Sequence, residues 1–242
     1  MIMSKISGIL FDFDGVLSSI TVRLGWPYYH ALKKVKPNIT KIEILNSLNN
    51  IMKMYLKDDQ KRDLFYVPKM ILKIARTLEL NVFQMLQFMI LLGVLVKKNN
   101  NNIHPEDQAD EVLGIITKKY KTAIVTHAER EVMDHALTKF KFLKDIDIII
   151  TQQDLKYTKP HPEGLTKAIQ YLGLNPNETI YVGDLPHDIQ AGKRAGTKTV
   201  AVVNFDGAKE GKRELLEQFQ PDYIINHVKD LPVLIEAIEC AH

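Results

Sequence analysis

The chain has 242 residues, 45% hydrophobic and 25% charged, with a formal net charge of +3 at pH 7. That composition is ordinary for a globular protein and allows one large domain or two modest ones, each with a real core. It gives no ground for nucleic-acid binding, because 32 Lys and Arg are matched by 29 Asp and Glu and no long basic run appears. The single cysteine, Cys240, rules out a disulfide within the chain. A reducing compartment follows, and the N-terminal run lacks a signal-peptide pattern, so a cytoplasmic location is expected.

In chain order, "ISGILFDF" (6–13) reads as a buried strand running into Asp12, Asp14 and Gly15. "SSITVRLGWPYYH" follows, with Arg23, Trp26, Tyr28 and Tyr29 close behind the carboxylates. The next stretch reads as helix in pieces: 40–56, 64–79, the apolar run 82–96 and 105–120, broken at Pro68 and at the polar 97–102. The 82–96 run is short for a membrane span and carries Gln84 and Gln87. It is expected as a buried helix or a helix at a subunit contact, with no stable membrane insertion.

From residue 121 the pattern changes. Apolar strands are expected at 121–126, 146–151, 179–184 and 198–204, with a short last one at 222–227. Helical patterns 128–140, 162–173 and 186–196 alternate with them, and Gly173 and Gly196 stand where helices stop. Strand-helix-strand alternation predicts an α/β fold with a doubly wound parallel sheet. The insert between the first two strands predicts a second, smaller all-helical domain. The expected boundaries are 1–17 with 108–242 for the α/β domain and 18–107 for the insert.

Ligands of doubly wound sheets bind beyond the carboxyl ends of the strands. The first strand delivers Asp12 and Asp14 there, the second Thr126 and His127, the loop after the third Lys159, and the fourth Asp184, with Asp188 on the next helical turn. Clustered acids repel one another unless a cation sits among them. A hard divalent ion with oxygen ligands fits, and Mg2+ is the expectation. Lys159 would add a second positive charge. Each like-charge encounter it relieves is worth roughly 4 kcal/mol at 4 Å and intermediate dielectric.

These segments together resemble the haloacid dehalogenase-like hydrolase superfamily, in its phosphatase branch. "FDFDGVL" is similar to the first motif, "IVTHAE" to the second, and "TKPHPEGLTKAIQYLGLNPNETIYVGDLPHDIQAGKRAG" to the K-P-x-P segment leading into GDxxxDIxAGxxAG. The resemblance implies Asp12 as nucleophile, forming an aspartyl-phosphate, and Asp14 as general acid and then base. It implies that Asp12, the backbone carbonyl of Asp14, and Asp184 hold Mg2+. Thr126, Lys159, the His127 backbone N–H and Gly15 would serve the phosphoryl group, with Asp188 orienting Lys159 or a metal-bound water. The helical insert matches the position of the family's C1 cap, where Arg23, Trp26 and Tyr28 are candidates for substrate selection. Packing of the cap is an equal alternative for Trp26 and the tyrosines.

The second Asp of the motif argues for phosphoryl transfer over dehalogenation. The expected reaction is Mg2+-dependent hydrolysis of a small phosphorylated metabolite by a monomer or homodimer. A phosphomutase of the β-phosphoglucomutase type would share every core residue, and a non-catalytic binding module on this fold is the third reading. "SSITVRLGWPYYH" departs from the family's usual continuation, and Leu185 and Pro186 replace its small polar residues. Thr126 also suits a helix N-cap, and His161 and His187 read as loop residues.

Overall fold

The computed structural model describes residues 5–44, 46–47, 66–204 and 209–240. Six strands form one sheet: β1 (Gly8–Phe11), β2 (Lys121–Val125), β3 (Ile148–Ile150), β4 (Thr179–Gly183), β5 (Lys198–Val202) and β6 (Tyr223–Ile225). Their order is β3-β2-β1-β4-β5-β6 and every pairing is parallel. All six expected strands are present, each shorter than its apolar run. β1 stops at Phe11, so Asp12 lies just past the strand.

The helices of this part are α4 (Ala109–Ile116), α5 (Arg130–Lys139), α6 (Glu163–Leu172), α7 (Pro186–Ala195), α8 (Lys209–Glu217) and α9 (Leu231–Cys240). Alternation along β1 sorts its side chains onto two faces. Ile9 and Phe11 pack with Val112, Leu113, Val132, Met133, Ile235 and Ile238 from α4, α5 and α9. Leu10 joins Tyr181 and Val125 against Leu165, Ala168, Ile169 and Ala191 from α6 and α7. Strands covered on both faces leave no polar side, which is why their sequences are apolar throughout. α6 and α7 stop at Gly173 and Gly196 as expected.

The chain divides into two compact units, Met1–Ser19 with Ile103–His242, and Ile20–Asn102. The second division precedes Ile103 rather than residue 108, because Ile103 is fully buried in the α/β core. Hydrogen bonds from Ser19 N–H to His104 O (2.8 Å) and from Glu106 N–H to Leu17 O (3.0 Å) tie the returning chain to the first motif.

In the smaller unit the described elements are a π-turn at Thr21–Gly25, then α1 (Trp26–Val35), α2 (Tyr66–Thr77) and α3 (Val82–Asn99). Of the expected helix 40–56, residues 41–44 and 46–47 are helical, Thr40 lies just before them, and 45 and 48–56 lie outside the described residues. Pro68 does not break α2. It lies inside the helix, two residues after the first one described. Gln84, read as an interruption of the apolar run, completes a capping box with Asn81 that starts α3.

One face of α3 is core: Phe88 is fully buried with Tyr28, Leu32 and Ile74, and Leu91, Leu92 and Leu95 pack on them. The opposite face leaves Phe83, Leu86, Ile90 and Val94 exposed. The 82–96 segment is thus half core rather than a wholly buried helix. At 18 residues α3 is long and apolar enough, by length and composition alone, to cross a membrane.

Candidate active site

The sheet order places the first crossover to one side of β1 and the later strands on the other, so the topological switch point falls between β1 and β4. Asp12 and Asp184 are the residues immediately beyond those two strands. The Asp12 N–H donates to Val182 O at 2.8 Å, fixing the first acid beside the end of β4.

Lys159 is the hub. It is 3% exposed, and its ammonium lies 2.9 Å from Asp12 Oδ1 and 2.7 Å from Asp188 Oδ1. It also donates to the Tyr181 hydroxyl at 2.9 Å, which in turn donates to Asp188 Oδ1 at 3.0 Å. All the hydrogens of an ammonium group are thereby accounted for. The other Asp188 oxygen, Oδ2, accepts the backbone N–H groups of Asp184 (3.2 Å) and Leu185 (2.9 Å). Leu185 has no side-chain oxygen with which to cap α7, and Asp188 caps the helix from within its first turn. Gly183 is required by this arrangement, since a Cβ there would fall 2.2 Å from the Asp188 Cβ.

The protonation balance follows from burial. Burial raises the Asp12 carboxyl well above its usual range, against the opposing pull of Lys159. Asp184 is likewise raised by burial and pulled back by Lys212. For Asp188, burial acts upward too, but Lys159, His187 and the Leu185 N–H together hold it well below the usual carboxylate range. Burial pulls Lys159 down, but Asp12 and Asp188 outweigh it and keep the ammonium charged. Lys159–Asp188 is therefore a fixed ion pair, while Asp12 shares that same ammonium and Asp184 is met by Lys212.

Those two acids fit a divalent cation. Asp12, Asp184 and Asp188 offer oxygens within 4.8 Å of one another. Both Asp188 oxygens are already engaged, whereas Asp184 Oδ1 is buried with no hydrogen-bond partner among the described residues. Gly15 makes the space: at φ +82°, its missing Cβ would lie 2.3 Å from Asp184 Oδ2. Gly15, expected from the sequence to serve the phosphoryl group, also leaves room for Asp184. The Gly15 carbonyl also accepts from Asn204 Nδ2 at 3.0 Å.

Asp14 is half-buried just past Asp12, and Thr126 is buried at the end of β2. The Thr126 hydroxyl accepts the Ala128 N–H at 3.0 Å, and α5 begins only at Arg130. Thr126 therefore closes a local turn and is not the cap of that helix. The rings of His127 and His187 stack with centroids 4.9 Å apart. His187 is buried on the first turn of α7, not in a loop, because Pro186 already opens the helix. His161 is in a loop, with Nδ1 accepting the Glu163 N–H.

In the helical unit, Arg23 is buried and donates to Asn100 Oδ1 at 3.3 Å, while Trp26 is 48% exposed. Tyr28 is buried in that unit's core, edge-on to Phe88, with its hydroxyl 2.8 Å from Ser47 Oγ. Its side chain packs the unit.

Tyr181 and Lys212 were missed by sequence reasoning. The Lys212 ammonium lies 2.9 Å from Asp184 Oδ2, its side chain 10% exposed. A tyrosine inside the wholly apolar strand "TIYVG" was a usable signal, since a buried hydroxyl needs a partner. No spacing marks Lys212. A cavity of about 550 Å³, lined by Lys5, Lys121, Asp147 and Glu178, lies at the opposite, N-terminal ends of the strands.

A parallel sheet in this order, with acids and a buried lysine gathered at its switch point, defines a doubly wound α/β protein built to handle charge at the strand tips. The family profile of haloacid dehalogenase-like hydrolases matches residues 9–202, and the chain belongs to that family. Pyrophosphatase PpaX of Bacillus cereus (strain AH820) is 30% identical over 238 residues, covering 95% of this chain and 97% of that one. Among solved structures, a predicted phosphoglycolate phosphatase from Haemophilus somnus 129pt matches with a TM-score of 0.67 at 21% identity, covering 97% and 99% of the two chains. A conserved haloacid dehalogenase-like protein of unknown function from Agrobacterium tumefaciens str. C58 matches with a TM-score of 0.71 at 17% identity, covering 96% and 99%. The protein is thus a hydrolase-family enzyme, and the structural likenesses speak to its fold.

Proposed function

We propose that the protein is a divalent-cation-dependent phosphatase that hydrolyses a small phosphorylated metabolite through an aspartyl-phosphate on Asp12. The observation that carries this reading is Lys159 bridging Asp12 and Asp188 in a buried network beside Asp184, one oxygen of which has no hydrogen-bond partner among the described residues. An anionic nucleophile meets an anionic substrate only where such positive charge is fixed in advance.

In this reading Asp12 attacks phosphorus and the bond to the leaving oxygen breaks, while Asp14 gives that oxygen its proton. Asp14 then takes a proton from water, which attacks phosphorus, releases inorganic phosphate and restores Asp12. Thr126 and the His127 backbone N–H hold phosphoryl oxygens, and Lys159 balances their charge. Asp188 and Tyr181 act through Lys159 by fixing its ammonium. Asp12, Asp184 and the Asp14 carbonyl would hold the cation, expected to be Mg2+, which when bound supplies positive charge opposite the nucleophile and a phosphoryl oxygen.

We assign substrate selection to the inserted helical unit as a cap, with Arg23 and Trp26 the residues to vary. Likeness to a pyrophosphatase along nearly the whole chain makes inorganic pyrophosphate a specific candidate beside the monoesters. The test is phosphate release from p-nitrophenyl phosphate, inorganic pyrophosphate and a set of sugar and glycolate phosphates, with Mg2+ or with EDTA. Mg2+-dependent release from at least one of them is expected. Folded protein that binds Mg2+ and releases phosphate from none would reject the hydrolase reading and favour the mutase.

A further inference from the structure

We infer that Lys212 is a built-in counter-cation that neutralises Asp184 in the metal-free enzyme and must be displaced when a divalent ion enters. The inference rests on the cation-dependent reading above, and it concerns a residue outside every motif of the chain.

Three observations support it. The Lys212 ammonium is 2.9 Å from Asp184 Oδ2, and the two side chains are 10% and 3% exposed, so this pair is nearly withdrawn from water. It reaches the acid from α8, in a part of the chain far from the motif acids. The remaining Asp184 oxygen is buried without a hydrogen-bond partner among the described residues. One oxygen is thus held by a removable charge and the other is left without a donor.

Charge counting gives the direction of the effect. Fully ionised, as a bound divalent ion requires of them, Asp12, Asp184 and Asp188 bring three negative charges against two positive ones on Lys159 and Lys212. Lys159 is locked between Asp12 and Asp188 and cannot leave without stranding both. A divalent ion together with Lys159 balances the three acids, so Lys212 becomes the surplus charge, repelled by the ion at close range. Lys212 sits on a flexible four-carbon stem and can withdraw toward solvent. Metal binding is then an exchange of one cation for another on Asp184.

The test is isothermal titration of the metal-free full chain with MnCl2 and MgCl2 at pH 8, paired with melting temperatures in EDTA, for native protein, Lys212→Gln and Lys212→Arg. Lys212→Gln is expected to bind both ions about tenfold more tightly than native, or better, because no resident charge opposes entry. In EDTA it is expected to melt below native, since Asp184 then lacks its partner, and saturating Mg2+ should close that gap. Lys212→Arg keeps the charge and should stay near native in both respects. Equal or weaker metal binding by Lys212→Gln, or an unchanged melting temperature in EDTA, would overturn the inference while leaving the phosphatase reading intact. Native protein that binds neither ion would overturn both.

Discussion

Lys159 and Asp188 meet at 2.7 Å, and neither side chain is more than 2% exposed. The pair does not stand alone. Asp188 also caps α7 through two backbone N–H groups, so the ammonium that faces Asp12 is anchored to the helix that follows β4. Charge at the tip of β1 is thereby tied to the geometry of the tip of β4.

Lys159→Met therefore strands two buried carboxylates. The expected loss is about 3–5 kcal/mol of stability, with kcat/KM reduced at least about 100-fold. Chemical denaturation and steady-state kinetics check the two parts separately. Lys159→Arg should not restore activity, since a planar guanidinium cannot reproduce the ammonium's three-way contact.

The Asp188 carboxyl is held below its usual range in the folded protein. A depressed folded pKa contributes stability that is complete above the unfolded value, near 4, and is lost as pH falls below it. Melting temperature measured from pH 6 downward should fall on this limb. Asp188→Asn should be less stable than native at pH 6 and should flatten the limb. An equally steep limb in the variant would assign the acid loss to other groups.

Gly15→Ala is expected to lose about 1–2 kcal/mol from the left-handed backbone alone, and more from pressing on Asp184. Its particular signature is weaker Mg2+ binding, at least about tenfold, with the circular dichroism spectrum retained. Calorimetric titration distinguishes this from simple unfolding.

Tyr181→Phe removes a hydroxyl that sits between Lys159 and Asp188 but leaves their direct contact. A loss of about 1–3 kcal/mol is expected, with kcat lowered less than tenfold. Thermal denaturation and kinetics at saturating substrate provide the check.

Much of the site was legible because its residues fall at the ends of recognisable strands. Asp12, Thr126 and Asp184 could be placed from apolar runs alone, and a doubly wound sheet converges them on one rim. Lys159 and Asp188 followed from the motif around them. What could not be read were contacts that depend on the third dimension. The tyrosine in β4 signals that a buried hydroxyl needs a partner, but not that the partner is Lys159. Lys212 lies on a helix whose approach to Asp184 no periodicity encodes. Tyr28 was a candidate for substrate contact because it follows the first motif. Its burial is decided by Phe88 and Ser47, residues that the sequence alone does not bring to it. The return of the chain at Ile103, not at residue 108, was hidden for the same reason: a single apolar residue after a polar run gives no sign of which core it joins.

In the proposed reaction Asp12 carries the phosphoryl group. Acid-quenching native enzyme during turnover of radiolabelled p-nitrophenyl phosphate with Mg2+ tests it most directly. Hydroxylamine-sensitive label is expected on the peptide containing Asp12, with neither label nor turnover in Asp12→Asn. Turnover that leaves no label on the protein, or that survives in Asp12→Asn, would contradict it.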